Sequence, residues 1–141
     1  MAASLKPTLT LTSTAGTTGI SEDASLVLSV TDDLTVTDPS IGISRVQCTD
    51  TGANTEILPS VDATRYVYIK NTGLTGADAA DTEAIADGVT VKVETGDGAR
   101  IINLGADEFC FLPYHNEGAG ILQLEASSGT VVVEYGYWTK V

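Results

Sequence analysis

At 141 residues the chain fits one domain, long enough to bury roughly two thirds of the surface its unfolded form exposes, so folding requires neither disulfides nor a metal. Nineteen acidic residues against seven basic ones give a formal charge of −12. That balance repels phosphate backbones and anionic membrane surfaces, and so argues against nucleic acid or membrane as a partner. The acid is spread along the chain and not gathered into a tail, which is the pattern of a soluble, self-repelling surface.

In chain order, Met1 to Lys6 lacks the apolar core of a signal peptide, and Lys6-Pro7 interrupts any candidate. No stretch approaches the roughly 18 apolar residues of a membrane-spanning helix, and two cysteines, too few for the disulfide framework of a small secreted domain, make the cytoplasm the expected site of folding. Thr8 to Thr12 (TLTLT) alternates cleanly, and Ser13 to Ser25 is rich in Thr, Gly and Ser with little to bury. Residues 1–24 read as a short strand plus a loose connection, or equally as an extended N-terminal arm laid on a neighbouring subunit, ahead of a single domain over 25–141. Leu26, Leu28 and Val30 resume the alternation, Asp32-Asp33 marks a turn, Leu34 to Thr37 a short strand, and Asp38-Pro39 a stop.

Ile43 to Thr49 and Thr55 to Leu58 read as two strands joined through Asp50-Thr51-Gly52, followed by Arg65 to Asn71 (RYVYIKN). Leu74 to Asp87 is the longest segment without strand character, a surface loop in which Ala79 to Ala86 has room for one or two helical turns. Five further strands follow, at Gly88 to Thr95, Ala99 to Leu104, Glu108 to Leu112, Gly120 to Ala126 and Thr130 to Val141. Gly96-Asp97-Gly98 and Ser127-Ser128-Gly129 read as hairpin tips. Nine or ten strands with no helical pattern between them predict an all-β protein, an antiparallel β-sandwich that is jelly-roll-like.

Period-two alternation assigns faces. The expected core is Val67, Ile69, Val91, Val93, Ile102, Leu104, Phe109, Phe111, Leu122, Leu124, Val131, Val133 and Tyr135. Tyr66, Tyr68 and Trp138 then fall on outer faces beside Lys70 and Lys140. Each ring carries about 150–250 Å², so something is expected to cover them. The long loops or the N-terminal segment, a protein partner or second copy, and a stacked sugar all meet that need; Tyr66, Tyr68, Lys70, Tyr114 and Trp138 are the interface candidates.

Catalytic chemistry is sparse in this pattern. His115 is the only histidine, in a Pro113-Tyr114-His115-Asn116-Glu117-Gly118 segment read as a loop, and one His with two separated Cys does not make an ordinary zinc site. No Gly-x-Ser-x-Gly elbow presents a nucleophile. Asp78, Asp81, Glu83 and Asp87 share one loop, but their spacing does not match a calcium loop and a solvated acidic loop is expected. Cys48 and Cys110 are the only thiols; a buried free thiol is expected at Cys110, with a disulfide to Cys48 as the alternative. No enzyme activity, cofactor or metal is expected.

The segments RYVYIKNTG, GVTVKVETGDGARIINLGADEFCFLPYH and SSGTVVVEYGYWTKV resemble the small β-sandwich virion proteins of tailed bacteriophages. The resemblance rests on Tyr68 to Thr72, Val89 to Val93, Leu104 to Pro113 and Val133 to Trp138, and spans Arg65 to Val141. It implies a virion structural protein, a capsid cement or decoration protein at the capsid surface, forming a jelly-roll homotrimer that bridges subunits of the major capsid protein. A minor tail component is the variant within that family. A carbohydrate- or receptor-binding module, with Tyr114, Trp138 and the acidic loop facing a glycan, is the alternative.

Overall fold

Alternation of Val, Leu, Ile and Tyr with polar residues does produce strands throughout. The computed structural model describes residues 2–12, 27–37, 42–52, 54–76, 82–116 and 121–141. The Ser13–Ser25 connection, Asp38-Pro39, and Asp78 and Asp81 of the acidic loop lie outside them. Twelve strands occur among the described residues: β1 (Ala2–Leu5), β2 (Thr8–Thr12), β3 (Val27–Thr31), β4 (Leu34–Thr37), β5 (Ser44–Thr49), β6 (Thr55–Glu56), β7 (Ala63–Asn71), β8 (Val91–Thr95), β9 (Arg100–Leu104), β10 (Phe109–Asn116), β11 (Leu122–Ala126) and β12 (Thr130–Thr139). Residues 82–86, where a helical turn had room, contain no helix; Thr75 N donates to Glu83 O and Ile85 N to Gly73 O, closing the segment as a loop back on itself.

From Ser44 onward the pairing is nested: β8 with β9, β7 with β10, β6 with β11 and β5 with β12, all antiparallel. Lateral pairing of β7 with β12 and of β8 with β11 joins these into two four-stranded sheets, β10-β7-β12-β5 and β6-β11-β8-β9. A long hairpin doubled on itself and rolled into two facing sheets is a jelly roll. Of the short turns read as hairpin tips, only Gly96-Asp97-Gly98 is one. Ser127-Ser128-Gly129 is a corner where the chain changes sheet, as is Asp50-Thr51-Gly52, read as a turn between two strands, because a tight turn fixes reversal of direction but not which plane the next strand joins. The two corners are tied together by Asp50 N donating to Gly129 O at 3.1 Å, and Ser127 N donates to Thr90 O, just ahead of β8, at 2.8 Å.

The core lies between the sheets. Val67, Ile69, Val131, Val133 and Cys48 from one sheet meet Val91, Val93, Leu104, Leu122, Leu124 and Ala126 from the other, all enclosed. Each such aliphatic side chain contributes about 1.5–3 kcal/mol on leaving water. Phe109 and Phe111, expected here, are instead exposed; Cys110 and Tyr114 of the same strand pack against the core. Phe-Cys-Phe-Leu is apolar on both faces, so alternation alone cannot choose between them, and ring size points the wrong way. The register decides: Cys110 lies opposite Ile69 and Phe111 opposite Tyr68, so the faces of β10 must follow those of β7.

Asn71 fixes that register. Fully buried, it donates from Nδ2 to Leu104 O at 3.0 Å and accepts from Gly73 N at Oδ1 at 2.9 Å, while its own N–H donates to Glu108 O at 3.0 Å. One residue, through its side chain and its backbone N–H, thus clamps the end of β9, the approach to β10 and the turn at Gly73, whose φ of 73° suits glycine. The Asn71–Glu108 bond also sets the phase of the ladder: Cys110, Leu112 and Tyr114 bond toward β7, while the backbone groups of Phe109, Phe111 and Pro113 face the open edge. Pro113 therefore sits where its missing N–H costs nothing and blunts the edge against further strand addition. β10 runs beyond its expected end, and His115 belongs to this strand and not to a loop.

Before the jelly roll, β1 and β2 pair with β4 and β3 in one unbroken register, Ala2 opposite Thr37 through Thr12 opposite Val27, forming a two-stranded ribbon. At its kink Lys6 Nζ lies 3.3 Å from Asp33 Oδ1, and Asp32 N donates to Pro7 O. Its base is held by buried Val36, which bridges to Lys140 beyond β12. Asn71→Ala strands the Gly73 amide and the Leu104 carbonyl, and is expected to lower the unfolding free energy by about 2–4 kcal/mol in urea titrations. Phe109→Ala, at an exposed position, should change it by less than about 1 kcal/mol.

Candidate functional site

Because Val67 and Ile69 point inward, Tyr66, Tyr68 and Lys70 must point outward; because Val131 and Val133 point inward, Glu134, Gly136 and Trp138 follow suit. With β10 in its observed register, three strands place one row of Phe111, Tyr68 and Gly136 beside another of Pro113, Tyr66 and Trp138. The rings touch: Tyr66 and Phe111 are stacked at 6.1 Å with planes 4° apart, Phe111 and Trp138 are tilted at 6.3 Å, and Tyr68 and Phe109 are tilted at 6.3 Å. These are favourable ring geometries, about 0.5–1.5 kcal/mol each beyond area burial.

Gly136 is needed in this array for space. A Cβ there would lie 3.0 Å from Ile43 Cδ1, so the bare strand is the floor on which Ile43 rests. The ribbon stands at the side of the array, and Leu5, Pro7, Thr8 and Leu9 form one wall of a groove of about 580 Å³ whose other lining includes Ile43, Tyr68, Phe109, Cys110, Phe111 and Trp138.

A charged row borders the rings, with Phe109, Lys70, Glu134 and Arg45 in cross-strand register. Arg45 Nη2 is 2.6 Å from Glu134 Oε1 and Nε donates to the same oxygen at 2.9 Å. Burial first, then the Glu134 charge and Cys110, push the Tyr68 phenol up from its ordinary value. Strand positions on this outer face carry Arg45 and Lys70 against Glu134, with Lys140 one residue beyond β12, in a chain whose formal charge is −12. The opposite sheet pairs Lys92 with Glu125 at 3.0 Å and Arg100 with Glu94 at 3.6 Å.

Four of the five residues expected at an interface, Tyr66, Tyr68, Lys70 and Trp138, share this face. Tyr114 lies on the opposite side of β10, half-buried against the core, where burial and then the Asp97 charge raise its phenol. Phe109, Phe111, Ile43 and the ribbon residues belong to the site and were not expected there. The sequence signal for the two Phe was available only through the antiparallel pairing with β7.

His115 Nδ1 lies 2.9 Å from Thr64 Oγ1, and Nε2 3.8 Å from Asp62 Oδ1. No group of three or more His, Cys, Asp or Glu side chains is placed to hold a metal among the described residues. Arg65, on the core face of β7, is buried; it donates from Nη1 to Val61 O at 3.2 Å and lies 5.8 Å over the Tyr137 ring, with its Nε lacking a partner among the described residues. Cys48 and Cys110 are both free. They occupy the two edge strands of one sheet with two strands between and are offset by four residues along β12, so on the order of 20 Å separates them and a disulfide is out of reach. No family model, curated protein or solved structure matches this chain.

Burial raises both thiols from 9.0 to about 11, so each stays protonated at neutral pH although Cys110 borders the groove. Alkylation by iodoacetamide at mildly alkaline pH should therefore be slow for both and accelerate on unfolding in urea; rapid labelling of Cys110 in the folded chain would contradict its placement. Since the folded-state values exceed the unfolded ones, the thiol contribution to stability is present in full below pH 9.0 and is lost as pH rises toward about 11.

Proposed function

We propose that this protein works by adhesion, with the aromatic outer face as its docking surface, and that it is a virion structural protein of the cement or decoration type. One observation carries the adhesive reading. Of eight exposed large hydrophobic side chains among the described residues, five gather at this face and the ribbon beside it: Phe109 (61% exposed), Phe111 (38%), Ile43 (56%), Leu9 (46%) and Val30 (51%). At about 150–250 Å² per large side chain, these leave roughly 400–600 Å² of apolar surface in one place, at the upper end of what a monomer ordinarily shows.

The virion reading is supported by the jelly-roll topology, an architecture recurrent in viral capsid proteins, together with the resemblance of residues 65–141 to small phage virion proteins. On that reading the major capsid protein is the partner, the protein acts as a homotrimer on the capsid surface, and many weak clamps between neighbouring subunits sum to a large resistance to internal pressure. A fold alone does not assign a role, and lectins share this topology. The glycan-binding alternative has its own support in the cluster of Tyr66, Phe111 and Trp138 rings on one face, aromatic surface of the kind on which the apolar face of a sugar stacks.

Co-sedimentation with assembled capsids separates the readings. The native chain should pellet with particles, and Trp138→Ala and Phe111→Ser should each weaken binding at least tenfold while leaving the circular-dichroism spectrum unchanged. Unaltered binding by both variants would contradict the assignment of the surface. A shift of Trp138 fluorescence on adding sugars, with no binding to particles, would favour the glycan reading.

A further inference from the structure

We infer that the aromatic face docks an acidic, apolar strip of its protein partner, with a partner carboxylate seated at each end of the ring array. The inference rests on the reading of that face as a protein-docking surface and names the chemistry of what docks there.

The pairing of the cations is the first argument. The chain has seven basic side chains against nineteen acidic ones. Lys6, Arg45, Lys92 and Arg100 each lie 2.6–3.6 Å from a carboxylate oxygen, and Arg65 is buried against Val61 O and the Tyr137 ring. Lys70 and Lys140 alone make no ion pair among the described residues, although acids are in large excess. Both stand on the aromatic face. Lys70 follows Tyr66 and Tyr68 on the outward positions of β7, and Lys140 continues the outward alternation of Trp138 one residue beyond β12. Glu134 is the cross-strand neighbour of Lys70, but its ion pair runs to Arg45 on its other side. At the far end the nearest carboxylate on the same face, Asp62, lies 3.8 Å from His115 Nε2.

Spacing is the second argument. Lys140 N donates to Thr64 O at 2.8 Å, which sets Lys140 beside Thr64, and Lys70 lies six residues further along β7. The two lysines are therefore rooted about 20 Å apart along the strands. Tyr66, Tyr68, Phe111 and Trp138 fill the interval. A partner strip in extended conformation matches this pattern with acids at positions i and i+6 and apolar side chains at i+2 and i+4, all on one face. Its carboxylates meet the two lysines while its apolar side chains cover the rings, the division of labour usual at an interface with central aromatic anchors and a charged rim. A basic strip would be repelled at both ends of the array, which adds selectivity. An uncharged sugar would use neither lysine, so the charge pattern favours a protein strip.

Trp138 is the only tryptophan, so its fluorescence reports on this face alone. The test is titration of the full chain with the end-blocked peptide Glu-Ser-Leu-Ser-Leu-Ser-Glu and with its Gln-ended and Lys-ended forms, at concentrations up to about 5 mM. The Glu-ended peptide should shift the emission and bind at least tenfold more tightly than the Gln-ended form, the Lys-ended form should leave it unchanged, and added salt should narrow the difference. Lys70→Glu with Lys140→Glu should invert the preference, and the milder Lys70→Gln with Lys140→Gln should abolish it, with the fold intact by circular dichroism; Lys92→Gln, on the other sheet, should leave it as in the native chain. A Gln-ended peptide that binds as tightly as the Glu-ended one, a chain that responds to no peptide, or a preference that survives the paired lysine substitutions would overturn the inference. A response to oligomers of uronic acid with none to the peptides would give the face to an acidic glycan and overturn it as well. Capsid binding that is lost in Trp138→Ala yet unchanged by the lysine substitutions overturns the inference while leaving the docking reading standing. Discrimination among the peptides by a chain that pellets with no particle sustains the inference and removes the virion reading.

Discussion

Two neighbouring residues of β7 cannot both point inward, and the surface of this molecule follows from that constraint. Val67 and Ile69 are wholly enclosed between the sheets, so Tyr66, Tyr68 and Lys70 face out. The same alternation in β12 buries Val131 and Val133 and presents Trp138. Asn71 then transmits the phase of β7 to β10 through its bonds to Leu104, Gly73 and Glu108. A one-residue slip of β10 would reverse its faces and send Phe109 and Phe111 into a space filled by Cys110 and Leu112. The aromatic face is therefore a consequence of how the interior is packed.

Aliphatic burial, and not ion pairing, holds the two sheets together. The Lys6–Asp33 pair is largely exposed and contributes about 0–1 kcal/mol, and the half-buried Arg45–Glu134 pair joins neighbouring strands of a single sheet. The charge distribution matters more for encounter than for stability. The outer strand face carries Arg45 and Lys70 beside Glu134, so it is locally less acidic than a chain of formal charge −12 is on average. Pro113 removes one N–H donor from the adjoining strand edge and so disfavours backbone pairing there.

The all-β architecture was legible in the sequence because Val91-Lys92-Val93, Leu122-Gln123-Leu124 and Tyr66-Val67-Tyr68 each distinguish an inner from an outer face. Two things were not. The corners at Gly52 and Gly129 carry the same turn chemistry as a hairpin tip, and only the third dimension tells which sheet the next strand joins. Phe109 to Leu112 is apolar on both faces, so its orientation is set by strand pairing over about forty residues of chain and not by local pattern. Tyr66, Tyr68 and Lys70 were legible as outward residues because Val67 and Ile69 between them are decisively aliphatic, and Trp138 because it continues the alternation set by Val131 and Val133. Their companions Phe109, Phe111 and Ile43 became visible only when the strands were paired.

Hydroxyl-radical footprinting of the dilute, unassociated chain tests the orientation of β10, on which the whole outer face depends. Phe109 and Phe111 should be oxidised readily, while Leu112 reacts less and Leu122 is protected as part of the interior. Protection of both phenylalanines to the level of Leu122, with Leu112 and Tyr114 reactive in their place, would show that β10 is turned the other way and that no aromatic docking face exists.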